Sequence, residues 1–134
     1  SGLVGAWRLL GVCRAAHAGA KEWLGTLPGM VLCGGYSGGR HGEVWKLSLA
    51  TLRWVPMPAL VIARDDHACC AVRGALVVLG GSTDLGATSS VEMLSEGRGA
   101  FVELPPLSCG EICGASAIAV EESDSTTGQV LLVG

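Results

Sequence analysis

The stretch that decides the fold runs from residue 63 to residue 101 and reads ARDDHACCAVRGALVVLGGSTDLGATSSVEMLSEGRGAF. It contains three short runs of apolar or β-branched residues, HACCAV, ALVVL and SVEML, separated by turns or loops that contain glycine, and a fourth run, FVEL, begins at its last residue. Runs of this length bounded by glycine are typical of β-strands rather than of helices. The stretch therefore predicts a unit of four short antiparallel strands.

The same order of features recurs on both sides of this unit. A pair of glycines ends a strand and an aromatic residue follows it in each of two copies, with Gly34, Gly35 and Trp54 in one and Gly80, Gly81 and Phe101 in the other. Glycine is expected where the chain turns sharply after a strand, because φ can be positive and a Cβ would clash. The aromatic residue follows the first glycine by 20 residues in one copy and by 21 in the other, which one inserted loop residue explains. A third, partial copy aligns Ala115 with Ala68 and ends at Gly134.

The chain before the first strand has a different pattern. Apolar residues there recur at helical spacing along one stripe, made of Leu9, Val12, Cys13, Ala16, Ala20, Trp23 and Leu24. This periodicity predicts an amphipathic helix of about five turns that ends near Gly25 to Pro28. We therefore divide the chain into an N-terminal helix over residues 1–27 and a repeat region over residues 28–134.

The overall composition limits the classes of function. With 134 residues, 49% of them apolar, the chain has enough apolar side chains to bury a core. A net charge of −3 argues against a nucleic-acid binder, which needs a clustered basic surface. The apolar runs are of strand length and fall short of the roughly 20 residues of a membrane span. We expect a cytoplasmic or nuclear protein without nucleic-acid or membrane partners, and, because both ends look cut, a fragment of a longer one.

The cysteines favour buried thiols over disulfides or a metal site. The chain has six, of which the first four lie in apolar periodic segments: Cys13, Cys33, Cys69, Cys70, Cys109 and Cys113. Free cysteine behaves as a small apolar residue in such segments. Cys109 and Cys113 are spaced C-x-x-x-C, but no second pair or His-x-x-x-His accompanies them, so zinc is not favoured there. We expect no cofactor.

The repeats resemble kelch repeats over about Met30 to Gly134. The resemblance is carried by VLCGG, VWKLSLATLRWVPMP, ARDDHACCAVRGALVVLGG, SVEML with GAFVELPPL, and GASAIAV with QVLLVG. It implies a mainly β fold, a partial kelch β-propeller of about two and a half four-stranded antiparallel blades preceded by one amphipathic helix. Trp54 and Phe101 are expected to fill the wedges between neighbouring sheets. Ser82 departs from the aromatic or acidic residue, and Phe101 from the tryptophan, that kelch units often have.

The N-terminal segment carries a second resemblance. WRLLGVCRAAHAGAKEWL, residues 7–24, is similar to the closing helix of an F-box, in which a Val-Cys-Arg-Ala-like segment is frequent. This implies an F-box kelch protein, which acts as a substrate receptor of a cullin-type ubiquitin ligase and contacts the ligase adaptor through this helix. The alternative is a plain helix that packs against its own domain.

The loops supply the candidate site. Loops 36–42 and 82–89, between second and third strands, and inter-blade loops 59–66 and 107–113 are expected to form a rim that contacts a protein partner. The rim residues most able to make directional contacts are Arg40, His41, Arg64 and Asp84. The alternative is that these are solvated loop charges.

An enzyme built on the same scaffold is the competing class. Arg64 to His67 brings two acids and a histidine into one loop, but no serine or cysteine nucleophile can be assigned to it. The simpler interpretation is that Arg64 pairs with an acid and His67 caps the strand. A metal-dependent oxidase of the kind found among kelch propellers needs tyrosine and histidine ligands, and Tyr36 is the chain's single tyrosine, with His41 nearby. The sequence therefore favours a non-enzymatic protein-binding module.

Overall fold

The computed structural model describes residues 30–121, 123 and 128–134. These residues contain strands and turns and no helix. The strands in chain order are β1 Met30–Cys33, β2 Val44–Ser48, β3 Arg53–Met57, β4 Ala68–Val72, β5 Ala75–Leu79, β6 Ser82–Thr83, β7 Gly86–Ala87, β8 Val91–Leu94, β9 Val102–Leu104, β10 Ser116–Glu121 and β11 Gly128–Val133. The chain divides into two compact units, Ser1–Leu32 with Trp45–Pro56, and Cys33–Val44 with Met57–Gly134.

The first unit holds most of a three-stranded sheet in the order β1-β2-β3. A turn between β2 and β3 is closed by Leu52, whose backbone N–H donates to the carbonyl of Ser48 at 2.7 Å. Trp54, predicted to fill a wedge between sheets, is 46% exposed on β3, whereas Phe101 is only 4% exposed. The two aromatic positions of the repeat therefore differ in burial.

The second unit contains the four-stranded sheet, in the order β4-β5-β8-β9. All its neighbours are antiparallel, with Ala68 opposite Leu79 and Leu79 opposite Val91. These three residues and Val77 form the buried apolar centre of the unit. The four strands predicted from residues 63–104 are thus confirmed, because each apolar run finds an antiparallel partner across a short turn or loop.

Two further antiparallel ribbons belong to this unit. β6 pairs with β7 in the loop that follows the second glycine pair, and β10 pairs with β11. In the latter, Ser116 lies opposite Val133, as Ala68 lies opposite Leu79 in the four-stranded sheet. Ser116 is therefore the equivalent of Ala68, and the predicted alignment of Ala115 with Ala68 was wrong by one residue.

The fold class predicted from the sequence requires correction. Instead of about two and a half four-stranded blades, the described residues form one four-stranded sheet, one three-stranded sheet and two two-stranded ribbons. A sheet grows only where consecutive strands exchange backbone hydrogen bonds, and among the described residues only β4, β5, β8 and β9 do so as a set of four. The helix that the prediction placed first does not occur among these residues, since residues 1–27 lie outside them.

Within the part of the chain that the structure describes, no helix has the length and apolar character needed to cross a membrane.

Candidate functional site

The two glycine pairs hold the loops of the second unit in equivalent positions. Gly34 and Gly80 have φ of 61° and 62°, and a Cβ on either would lie 2.5 Å from a carbonyl oxygen, that of Arg64 or of Ile112. The next glycine in each pair donates its N–H to the same carbonyl, at 2.9 Å for Gly35 and 2.8 Å for Gly81. The positive φ and the close carbonyl both require glycine here. The first pair thereby anchors loop 59–66 and the second anchors loop 107–113, each of which leads into the next repeat.

Arg64 lies in the interior of the second unit rather than on its rim. It is fully buried and forms an ion pair with Glu92, which is also fully buried on β8. The guanidinium also donates to the carbonyl of Gly80 at 2.8 Å and to the hydroxyl of Ser90 at 2.8 Å. A planar guanidinium has the five donors that such a buried network needs. The prediction placed Arg64 at the rim, in contact with a partner, whereas the structure buries its side chain.

Glu92 completes this buried network from the other side. Its carboxylate accepts hydrogen bonds from the backbone N–H groups of Val61, at 2.5 Å, and Ile62, at 3.2 Å. Both lie in the inter-blade loop 59–66 named in the sequence analysis. The Arg64–Glu92 pair therefore fastens this loop to β8 and to the glycine turn after β5. The sequence indicated that Arg64 would pair with an acid, but not which one.

Arg40 and Asp84 come together on the exposed side of the same unit. The Nε of Arg40 donates to Asp65 at 2.6 Å and to the carbonyl of Ser82 at 3.1 Å, and its Nη1 lies 3.3 Å from Asp84. The guanidinium carbon of Arg40 is 6.0 Å from the ring centroid of Tyr36, within the range of a cation–π contact. Arg40 therefore joins loop 36–42 to loop 82–89.

Two exposed apolar side chains lie in the same two loops. Tyr36 is 65% exposed, and Leu85, at the turn between β6 and β7, is 99% exposed. The turn is closed by Thr83, whose hydroxyl donates to the carbonyl of Gly86 and accepts from the N–H of Leu85. We call Tyr36, Arg40, Asp84 and Leu85 the rim cluster. The sequence analysis missed Tyr36 and Leu85 as contact residues, although an apolar residue inside a glycine-bounded turn is a usable signal.

His41 lies beside the rim cluster without joining its ion pairs. Its Nε2 shares a hydrogen bond of 2.6 Å with the hydroxyl of Ser37, within the same loop. Its backbone N–H donates to the carbonyl of Gly35 at 2.9 Å, and its carbonyl accepts from Arg64. Of the four residues predicted at the rim, the structure brings Arg40 and Asp84 into contact, keeps His41 in the neighbouring loop and buries Arg64.

A second cluster joins two cysteines predicted to be buried thiols with the histidine predicted to cap a strand. Cys33, His67 and Cys69 each offer one ligand atom, and these three atoms all lie within 4.8 Å of one another. The Sγ of Cys33 is 3.5 Å from the Nε2 of His67. Cys33 ends β1, His67 immediately precedes β4 and Cys69 lies in β4, so the cluster forms only when these two strands are brought together.

Comparison with known proteins supports the repeat assignment. Residues 63–108 match the family model described as "Kelch motif". This segment runs from the start of the stretch that decided the fold to the loop after β9, and the kelch resemblance drawn from the sequence is confirmed for it. A search of curated proteins gave no significant match.

Proposed function

We propose that this protein is a protein-interaction module whose contact surface is the rim cluster. The observation that carries the proposal is the link made by Arg40, which contacts Asp84 and lies over Tyr36 while the side chain of Leu85 is 99% exposed. Aromatic residues and arginine contribute most of the binding energy at protein interfaces. Covering an exposed apolar side chain with a partner removes it from water and so stabilises the complex. The kelch motif supports the same class of function.

The rim cluster has the order that such a contact needs. Tyr36 and Arg40 form an antiparallel bridge across loop 36–42, and Asp65 forms one with Ser82 that joins loop 59–66 to loop 82–89. Ordering a loop before binding reduces the entropy lost on association. We propose that the role is non-enzymatic and that His41, next to the cluster, contributes a polar contact at its edge.

The first test compares Leu85→Ser with Val102→Ser in the full chain. Both side chains are exposed, at 99% and 51%, but Val102 lies on β9, outside the four rim loops. Partners labelled in cells by a proximity-labelling fusion would be purified, and their dissociation constants measured with each variant. We expect at least about a tenfold weaker affinity for Leu85→Ser, a loss of about 1.4 kcal/mol, and no change for Val102→Ser. Equal affinities for the two variants would reject the rim cluster as the contact surface.

The finer proposal is that the protein is a substrate receptor of a cullin-type ubiquitin ligase. It is supported by the similarity of residues 7–24 to the end of an F-box, and the implied second partner is the ligase adaptor. The test separates the two contacts: Leu9→Asp, on the apolar stripe of the predicted helix, should abolish co-purification of the adaptor while leaving the rim partner bound, and Leu85→Ser should do the reverse. Failure of Leu9→Asp to change adaptor recovery would reject the ligase role and leave the interaction module standing.

A further inference from the structure

We propose that Cys33, His67 and Cys69 form a zinc site with two sulfur ligands, one nitrogen ligand and a fourth position open to a water molecule. This site shares no residue with the rim cluster and does not depend on the proposed interaction role. Cysteine thiolates and histidine nitrogens are the ligands that zinc prefers in proteins, and three protein ligands with one open position are typical of zinc sites that keep a solvent ligand.

The observed geometry agrees with tetrahedral zinc. Zinc lies about 2.3 Å from sulfur and about 2.0 to 2.1 Å from nitrogen, which at a tetrahedral angle separates the two ligand atoms by about 3.6 Å. The Sγ of Cys33 and the Nε2 of His67 are 3.5 Å apart. The Sγ of Cys69 lies within 4.8 Å of both. The three donor atoms are therefore close enough together to share one ion.

The fold brings the ligands together by two local features. His67 and Cys69 are two residues apart at the beginning of β4, so strand periodicity directs both side chains to the same face. Gly34 follows Cys33, and a Cβ at Gly34 would lie 2.8 Å from the Cε1 of His67. The absence of a side chain at Gly34 therefore lets the imidazole approach the end of β1 closely.

The second ring nitrogen of His67 has no partner of its own. Its Nδ1 is the one buried side-chain nitrogen or oxygen without a hydrogen bond among the described residues. Such an atom calls for a water molecule beside it, and zinc bound to Nε2 leaves Nδ1 as the N–H donor to that water. With zinc on Nε2 the ring proton stays on Nδ1, so the ion fixes the tautomer that the free chain leaves undetermined.

The test uses the full chain, reduced and stripped of metal, titrated with Zn²⁺ against a chromophoric chelator. We expect one zinc per chain, and on substitution by Co²⁺ a near-ultraviolet thiolate charge-transfer band with the visible bands of a tetrahedral site. Cys69→Ser should weaken zinc binding at least tenfold and remove part of the charge-transfer band, and His67→Gln should weaken it similarly. Cys109→Ser, which replaces an exposed cysteine outside the cluster, is the matched control and should bind as the unaltered chain does.

Several outcomes would overturn the site. Absence of stoichiometric zinc binding by the reduced chain would do so, as would a Co²⁺ spectrum without a thiolate band. Retention of full affinity by Cys69→Ser would also reject it, and loss of affinity in Cys109→Ser would assign the metal to Cys109 and Cys113 instead. Because Cys69 is exposed, its serine variant is expected to fold, and far-ultraviolet circular dichroism of the metal-free variants checks this. If Cys69→Ser is unfolded, alkylation rates of Cys33 and Cys69 in the unaltered chain, with and without zinc, decide the matter, since bound zinc must slow both.

Discussion

Replacing Arg64 with methionine should destabilise the second unit more than any change at the rim. The substitution keeps an unbranched side chain of similar length but leaves Glu92, which is fully buried, without its cation. The carbonyl of Gly80 and the hydroxyl of Ser90 lose their donors at the same time. Breaking a buried ion pair by removing one partner typically costs about 3 to 5 kcal/mol. Because the free energy of unfolding of a small domain is only about 5 to 15 kcal/mol, Arg64→Met should remove a large part of it.

Urea denaturation followed by far-ultraviolet circular dichroism measures this loss. Arg40→Met is the matched control, because it removes the same kind of side chain from a partly exposed ion pair with Asp65, where solvent screens the charges. The double variant Arg64→Met with Glu92→Gln should recover about 1 to 3 kcal/mol relative to Arg64→Met. Glutamine removes the stranded charge and can still accept from the N–H of Val61.

A loss of stability in Arg64→Met no larger than that in Arg40→Met would refute this prediction, as would a further loss when Glu92→Gln is added to Arg64→Met. Should Arg64→Met not fold at all, Arg64→Lys provides a second measurement. Lysine keeps the charge next to Glu92 but lacks the planar fork that reaches Gly80 and Ser90. Its stability should therefore lie below that of Arg40→Met, and a stability equal to that of the unaltered chain would contradict the proposed network.

Three further predictions concern the glycine turn, the buried histidine and the rim. Gly34→Ala should cost at least about 1 kcal/mol more free energy of unfolding than Gly38→Ala in the same urea assay. Both sites have positive φ, which costs roughly 1 to 2 kcal/mol for a residue with a Cβ, but only at Gly34 would the Cβ lie 2.5 Å from the Arg64 carbonyl oxygen. Equal losses would show that the loop moves away from the new Cβ. Folding lowers the pKa of His67 from its ordinary value of 6.5, so the neutral imidazole contributes stability that is present above pH 6.5 and is lost as the pH falls below it. Metal-free His67→Gln should therefore lose less stability than the unaltered chain between pH 7 and pH 5. Identical pH profiles of the two proteins would contradict this prediction. Leu85→Ser should leave the urea midpoint unchanged, since its side chain is 99% exposed, and a lower midpoint would show that this side chain packs within the fold.

The candidate site was only partly predictable from sequence, and the physical reasons differ among its residues. Arg40 and Asp84 are loop charges, and spacing alone placed their loops at equivalent positions in two repeats. Arg64 is also a loop charge by sequence, but it is buried because Glu92, 28 residues later, meets it across the sheet. A charge in a loop is expected to be solvated unless a partner is known, and no local pattern in the sequence identified Glu92.

The cysteines show the same limit. Cys33 and Cys69 each lie in an apolar strand, so their local environment indicates a packed thiol. Cys69 is a near neighbour of His67 in the chain, but the closeness of Cys33 to His67 depends on the approach of two segments 34 residues apart. Metal-ligand motifs are recognised in a sequence when the ligands are spaced regularly, and this cluster has no such spacing.

By itself, the sequence determined the local structure of this protein: the four strands of residues 63–104, the glycine pairs that end strands and the kelch motif of residues 63–108. These follow from short-range physics, since alternating apolar runs form strands and only glycine tolerates a positive φ against a neighbouring carbonyl. The tertiary structure alone decided how many strands each sheet contains, which alignment β10 adopts, that Arg64 is interior and that Cys33, His67 and Cys69 converge. Those outcomes depend on which distant segments exchange hydrogen bonds, and that choice is made by the free energy of the whole fold rather than by any one segment.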